Sequence, residues 1–157
     1  MSDAPSPTGT REEVVRAHGH EHVRAEHGST FEVTTDDWLT PAGDCILGIE
    51  ADRAPAAFDE AFVEACRDID ARIAAAIAVD PDADWDDPAH ETTVRGHGHP
   101  DLTFDDDRGT VARTSDHVDD RTVLLGADAA AADLDRDLVA ALADGAALRL
   151  TLRVTRD

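Results

Sequence analysis

The sequence predicts a mainly β protein, an antiparallel β-sandwich or jelly-roll-like pair of sheets, built from two pseudo-symmetric repeats with one short helix each. Short alternating apolar segments outnumber helical segments along the chain. Each half holds one helical segment, which follows several strand segments. Strands and helices therefore do not alternate one by one, as they do in parallel α/β sheets.

The two halves share three sequence blocks in the same order. The segment 12–20 (EEVVRAHGH) matches 91–99 (ETTVRGHGH). A middle block pairs Ile46-Leu47-Gly48 with Leu124-Leu125-Gly126, and a helical block pairs Phe58 with Leu134. Independent use of common strand and helix patterns is the alternative explanation. We expect one domain over 11–157, made of repeat one (11–80), an acidic linker (81–90) and repeat two (91–157), after a disordered tail (1–10).

The strands are predicted from alternation of apolar and polar residues. The segment Leu148 to Val154 alternates strictly, which predicts a strand with one buried face. Its counterpart Ile73 to Val79 is rich in alanine, and by comparison with its twin we expect a strand there as well, with Ile73, Ala75, Ile77 and Val79 facing inward. The other predicted strands are 12–18, 22–26, 30–35, 45–51, 101–105, 109–114 and 122–127.

The helices are predicted from apolar residues at intervals of three and four. Pro55 suits the entrance of the first helix and Asp133 suits the cap of the second, while Gly145 is a typical stop signal. The apolar positions are Phe58, Phe62, Cys66 and Ile69 in the first helix, and Leu134, Leu138 and Leu142 in the second.

Acidic residues dominate the composition. The chain of 157 residues has 35 acidic and 14 basic residues, a net charge of −21, and none of the basic residues is lysine. The acids are spread along the whole chain, which favours adaptation to a high-salt cytoplasm over one acidic block for a basic partner. If the acidic composition is an adaptation to salt, the net charge neither supports nor excludes a nucleic acid partner.

The sequence shows neither a targeting signal nor a cysteine framework. No apolar run approaches the ~20 residues of a membrane span, and the start lacks the features of a secretion signal. Cys45 and Cys66 are too few for a disulfide framework and suit a reducing cytosol. We therefore expect a cytoplasmic monomer or homodimer without membrane contact.

Four stretches resemble one known family. They are 19–34 (GHEHVRAEHGSTFEVT), 39–52 (LTPAGDCILGIEAD), 115–122 (SDHVDDRT) and 133–139 (DLDRDLV). Together they are similar to the archaeal family called domain of unknown function 371, and the resemblance extends over nearly all of 12–157. It implies a compact archaeal protein with a β-sandwich-type fold, and it implies no established activity.

The first candidate site is a thiol nucleophile. Gly43-Asp44-Cys45 follows a loop and leads into a strand, which would leave Cys45 partly exposed. His20 or His27 would lower the thiol pKa as the base, and Asp44 would orient that imidazole. The alternative is structural, with Asp44 binding the turn and Cys45 acting as a small apolar residue.

The second candidate is a metal site. His18, His20 and His22 alternate, as residues on one strand face do. His20, His22 and Glu26 resemble part of the metal motif of cupins, and such ligands suit iron, zinc, nickel or manganese. The rest of the cupin pattern is missing, and a solvated polar strand face is the alternative. No cofactor is otherwise expected.

The third candidate is a polar pocket for a small ligand. Thr30, Glu32 and Thr34 share one strand face, opposite Phe31 and Val33. Asp116 and Arg121 lie in the equivalent loop of the second half, with Asp119 and Asp120, and Arg121 either reads an anion or pairs with an aspartate. Arg16 and Arg95 occupy equivalent strand positions, where they either hold an anion in a cleft or form ordinary salt bridges.

Three functions remain open from the sequence. One is a module that binds a small ligand, a nucleic acid or a protein partner. Another is a small hydrolase or transferase that uses Cys45 or Asp44 with His20 or His27, and a third is a cupin-like metal protein. Trp38 and Trp85 lie in acidic loops and are either packed or exposed.

Overall fold

The computed structural model describes residues 10–155. A short 3-10 turn precedes each of the two α-helices, at Pro55–Ala57 and Ala131–Asp133. The described elements in chain order are β1 (Arg11–His18), β2 (Thr30–Thr34), β3 (Ile46–Gly48), α1 (Glu60–Cys66), β4 (Arg72–Asp80), β5 (His90–His97), β6 (Gly109–Arg113), β7 (Thr122–Leu124), α2 (Arg136–Ala143) and β8 (Ala147–Thr155).

The strands form two four-stranded sheets. Sheet A has the order β1-β8-β4-β5 and is antiparallel throughout. Sheet B has the order β3-β2-β6-β7, with an antiparallel central pair and parallel outer pairs. The prediction of a mainly β protein with two short helices is thus confirmed, but the expectation of antiparallel pairing is wrong for β3 and β7.

The long strands follow the predicted alternation. In β8 the buried residues are Leu148, Leu150, Leu152 and Val154, and in β4 they include Ile73, Ala75, Ile77 and Val79. The strand prediction for the alanine-rich segment is confirmed, because its apolar face joins one continuous core with both helices. Each buried Leu, Ile or Val side chain of these strands contributes about 1.5–3 kcal/mol by its removal from water.

Both halves run through their elements in one order, three strands, a 3-10 turn, a helix and a strand. Gly126 (φ +60°) and Glu50 (φ +53°) take corresponding places, each one residue after an isolated bridge to the end of β1 or β5. The predicted match of Gly48 with Gly126 is therefore wrong by two residues. The left-handed residue also ends each short strand early, so β3 and β7 are shorter than 45–51 and 122–127.

Two predicted strands, 22–26 and 101–105, are loops in the structure. Val23 and Ala25, like Leu102 and Phe104, are buried at alternate positions, which imitates a strand pattern. Ala25 (φ +49°) and Phe104 (φ +53°) are left-handed, so the chain does not stay extended there and does not pair.

The helix ends differ from two predictions. Asp59 and Asp135 cap α1 and α2 through backbone N–H groups two residues on. Asp133 instead accepts the N–H of Ala130 and closes the 3-10 turn, so its predicted role as helix cap is wrong. Ile69 lies beyond α1 and is exposed, because the helix ends at Cys66. Gly145 (φ +88°) ends α2 as predicted.

Two other expectations concern the N-terminal tail and the lack of a membrane span. The predicted tail lies outside the described residues, except for Thr10. Within 10–155, neither helix has the length or the apolar character that crossing a bilayer requires.

Candidate functional site

A polar cleft of about 230 Å³ opens beside the central strands of sheet B. We call it the Glu32 cleft. Its lining comes from both halves of the chain and consists of Glu32, Thr34, Asp36, Asp106, Arg108, Gly109 and Arg121.

Glu32 lies at the bottom because of strand alternation in β2. Phe31 and Val33 are buried in the core, so Glu32 faces the other side of the sheet. Its side chain is only 13% exposed. Gly109, on the neighbouring strand, leaves the space for it, because a Cβ at that position would overlap the Glu32 carboxylate.

The Glu32 carboxylate is weakly compensated. Burial raises the pKa of Glu32, and the partly opposing Arg121 guanidinium does not cancel the effect. Arg121 Nη1 stands 3.9 Å from Glu32 Oε1, and the Cys45 thiol donates to the same oxygen at 3.7 Å. A buried carboxylate with a raised pKa in a cleft is a typical mark of a functional site.

Other ion pairs frame the cleft. Arg108 binds Asp36 through two oxygens at 3.0 Å, while Asp106 accepts the backbone N–H groups of Arg108 and Gly109. These carboxylates are thus already engaged. Arg121 is the cleft cation with the loosest contacts, at 3.9 Å from Glu32 and 3.5 Å from Asp119.

Arg121 belongs to a cluster around Asp119. Asp119 accepts from Arg113 at 2.7 Å and from the Thr122 hydroxyl at 2.8 Å. Burial alone would raise the pKa of Asp119, but the Thr122 hydrogen bond and the two arginines outweigh it and hold the pKa below its ordinary value. Asp116, in contrast, is exposed and forms no hydrogen bond or ion pair within residues 10–155.

The thiol of Cys45 is held in its protonated form. Burial, together with the nearby Glu32 carboxylate, raises the pKa of Cys45 to about 11. A nucleophilic cysteine needs the opposite environment, a cation or base that lowers the pKa. Its hydrogen bond goes to Glu32 rather than to an imidazole.

The two histidines proposed as bases bind their own loop. His27 Nδ1 receives the N–H groups of Ser29 and Thr30, both at 3.2 Å. His20 Nδ1 accepts the N–H of His22 at 3.0 Å. In the described part of the chain, no hydrogen bond joins either ring to the Cys45 thiol or to the Asp44 carboxylate. The predicted contact between an imidazole and the thiol is therefore not formed as a hydrogen bond within 10–155, and the thiol mechanism stays a prediction.

Asp44 acts through its backbone. Its carbonyl oxygen accepts the N–H groups of Glu26 and His27, at 3.0 and 3.3 Å. This contact brings the Gly43-Asp44-Cys45 corner beside the histidine loop, as the sequence predicted, but through main-chain atoms.

The proposed metal ligands do not converge. Strand β1 ends at His18, so the expectation that His18, His20 and His22 share a strand face is wrong. The rings of His20 and His22 lie 5.0 Å apart, and Glu26 pairs with Arg24. Within 10–155, no three His, Cys, Asp or Glu side chains are grouped so that they could hold a metal ion.

The sequence pattern identified part of this site. Thr30, Glu32 and Arg121 were expected at a polar pocket, and Glu32 and Arg121 do line the cleft. Thr30 lies beside it, with its hydroxyl 3.1 Å from His27 Nδ1. Arg108 and Arg113 were missed. The turn sequence DDDRG at 105–109 was the available signal for Arg108.

Comparison with known proteins places the chain among proteins of unknown function. Residues 15–155 match the family described as domain of unknown function, DUF371. The chain is also 36% identical over 132 residues to Uncharacterized protein MJ0206 of Methanocaldococcus jannaschii, which covers 84% of this chain and 91% of that protein.

Proposed function

We propose that this chain, which belongs to the DUF371 family, is a β-sandwich module that binds a small polar ligand in the Glu32 cleft. The observation that carries the proposal is the Glu32 carboxylate, which is 13% exposed, has a raised pKa and faces open space. A buried charge without full compensation costs free energy, and a ligand that donates to it removes that cost.

The cleft indicates the class of ligand. Its volume of about 230 Å³ lies below the ~300 Å³ at which pockets for drug-sized molecules begin, so the ligand is a small metabolite. Glu32 accepts hydrogen bonds from an ammonium, amide or hydroxyl group. Arg121 is loosely held and 45% exposed, which suits an anionic group on the same ligand. A small zwitterion such as a free amino acid meets both requirements.

We infer that the two halves arose by duplication, and the position of the cleft supports this. Backbone bonds from Glu32 to Cys45 and from Val111 to Arg121 occupy corresponding places in the two halves. Glu32 therefore corresponds to Val111, and Cys45 to Arg121. The cleft combines the carboxylate of Glu32 from the first half with the guanidinium of Arg121 from the second, where the two halves meet.

The test combines ligand binding with substitution of Glu32. The probes are the standard amino acids, with simple amines and simple carboxylates as single-charge controls, and the readout is the melting temperature at neutral pH. A ligand at 100 times its Kd stabilises the protein by about 2.7 kcal/mol, which corresponds to a rise of about 5–10 °C for a chain of this size. Glu32→Gln should abolish that rise, whereas Glu21→Gln, an exposed carboxylate outside the cleft, should not.

The same variant also tests the electrostatic argument. The folded state binds the Glu32 proton more tightly than the unfolded state, so the charged carboxylate lowers stability at neutral pH. Glu32→Gln should therefore raise the melting temperature of the free protein at pH 7, and the gain should fade as the pH falls below the raised pKa. The proposal fails if no probe changes the melting temperature, or if Glu32→Gln responds to the probe as the native chain does.

A further inference from the structure

The outer face of sheet A carries a concentration of arginine in a strongly acidic protein. Strand register places the side chains of alternate residues from all four strands on this face. Five of the 14 basic residues of the chain lie on it, against the three strand acids Glu12, Asp80 and Glu91, of which Asp80 is buried, although the chain has 35 acidic residues. We call it the arginine face, and its arginines are Arg16, Arg72, Arg95, Arg149 and Arg153.

A groove of about 570 Å³ lies on this face. Ala74 forms its floor, and Arg95 and Arg153 are the cross-strand neighbours of Ala74 on either side. Arg72 and Thr155 line one end of the groove. Small residues continue along the face as Ala76, Ala78, Thr93 and Thr151, so the floor stays low between the arginines.

Four of these arginines lack a carboxylate partner in the described residues. Within residues 10–155, no ion pair or side-chain hydrogen bond engages the guanidinium of Arg16, Arg72 or Arg95. Asp52 and Asp128 lie close to Arg16 and Arg95, but their carboxylates accept the backbone N–H groups of those arginines. Among the five arginines, Arg153 alone has a carboxylate partner within 10–155, namely Glu12.

The other end of the face has a different composition. Arg149 lies directly opposite Arg16 in the sheet, a pairing of like charges that is destabilising without a counter-ion. The Arg149 guanidinium stacks on the indole of Trp85 at 5.2 Å, and its Nε is buried without a hydrogen-bond partner. Trp85 itself is half-buried in the acidic linker 81–90, and its ring contacts Arg149 on this face.

We propose that the arginine face binds the phosphate backbone of a single-stranded nucleic acid, with Arg72, Arg95 and Arg153 contacting phosphates around the groove and Trp85 stacking on a base. Neighbouring strands are about 4.8 Å apart and residues two apart on a strand about 7 Å, so the three guanidinium stems are spread over roughly 7–10 Å. Stems at this spacing allow each arginine to contact a different phosphate of a polymer, and the groove between them gives that polymer a path. Guanidinium groups bind phosphate through paired hydrogen bonds.

Charge and shape favour a single strand. The net charge of −21 repels a polyanion from the rest of the surface, so contact is confined to this face. Open grooves that combine cations with an aromatic ring are typical of single-strand binding, because every base has a stacking surface. This site lies on sheet A and is independent of the Glu32 cleft on sheet B.

The experiment measures fluorescence anisotropy of labelled oligouridylate and oligothymidylate of about 12 nucleotides, within the 4–16 nucleotides typical of single-strand sites. Titrations run from about 0.1 to 1 M KCl, and circular dichroism monitors folding at each salt concentration. Three phosphate contacts give a slope of about −2 in a plot of log affinity against log salt.

Variants that should weaken binding and one that should strengthen it test whether the arginine face is the binding surface. Arg72→Gln/Arg95→Gln should weaken binding about tenfold or more and reduce the slope to about −0.7. Arg24→Gln/Arg67→Gln, with the same change in net charge at two arginines elsewhere, should bind as the native chain does. Glu12→Gln frees Arg153 and should strengthen binding, a gain that misfolding does not produce.

Several results would overturn the proposal. Absence of binding by the folded protein at about 0.1 M salt, where the Debye length is ~10 Å, is one. Native affinity of the double variant is another. Stronger arginine-dependent binding of a duplex, of inorganic phosphate or of polyglutamate would assign the face to a different ligand.

Discussion

Glu13 offers the sharpest test of the energetics of this fold. It lies on β1 beside Glu12, faces inward and is 6% exposed. Its Oε1 pairs with Arg53 Nη1 at 2.6 Å, and its Oε2 accepts the N–H of Asp59 at 2.6 Å. Asp59 caps α1, so one carboxylate joins the first strand, the loop after β3 and the first helix.

Glu13→Ala should destabilise the protein strongly. Removal of one partner from a buried ion pair costs about 3–5 kcal/mol, because the other charge stays buried without compensation. Arg53 is 31% exposed and keeps bonds to the Val14 and Ala57 carbonyl oxygens, which places the cost at the lower end of that range. A loss of about 3 kcal/mol lowers the melting temperature by roughly 6–12 °C for a chain of this size.

The assay is denaturant unfolding of both adjacent glutamate variants. Glu12 pairs with Arg153 at the surface, with both side chains well exposed, so Glu12→Ala should cost less than about 1 kcal/mol. The reasoning is refuted if the two variants lose similar stability, or if Glu13→Ala unfolds as the native chain does.

Two other predictions follow from the titrating groups. The pKa values of Cys45 and Cys66 are raised to about 11 and about 12, so iodoacetamide at pH 8 should label Cys45 roughly 10²-fold and Cys66 roughly 10³-fold more slowly than a free thiol of pKa ≈ 8.5. Mass spectrometry of quenched samples measures this, and labelling of Cys45 at the free-thiol rate would restore the nucleophile hypothesis. The pKa of Asp119 is lowered, so its carboxylate adds stability above the unfolded pKa, and that stability is lost as the pH falls through the folded value. Asp119→Asn should cost about 1.5 kcal/mol at pH 7, since it weakens charge-assisted bonds from Arg113 and Thr122. The difference in stability from the native chain should vanish in acid. A cost that does not change with pH contradicts the lowered pKa of Asp119.

Alternation and helical spacing predicted the long elements well. Strands β4 and β8 bury every second residue over nine positions, and such a pattern survives small errors in the boundaries. The loops 22–26 and 101–105 show the weakness of the same method. They bury alternate residues too, and the left-handed conformation of Ala25 and Phe104, which prevents pairing, leaves no mark in a single sequence.

The candidate site was likewise predicted only in part. Alternation in β2 predicted that Glu32 faces away from the core, and Arg121 was expected near a polar pocket. The partner of the Cys45 thiol was predicted to be an imidazole, yet it is Glu32. Which side chain a thiol on one strand meets depends on the register with the neighbouring strand, and residue type alone does not specify that register.

By itself the sequence determined the mainly β class, the two helices, the acidic charge balance and the family, because these depend on local patterns and composition. The tertiary structure alone decided that Glu32 and Arg121 share a cleft, and that arginines far apart in sequence, such as Arg72 and Arg153, meet on one face of sheet A. Long-range strand pairing brings these residues together, since cross-strand neighbours are set by the register of whole strands.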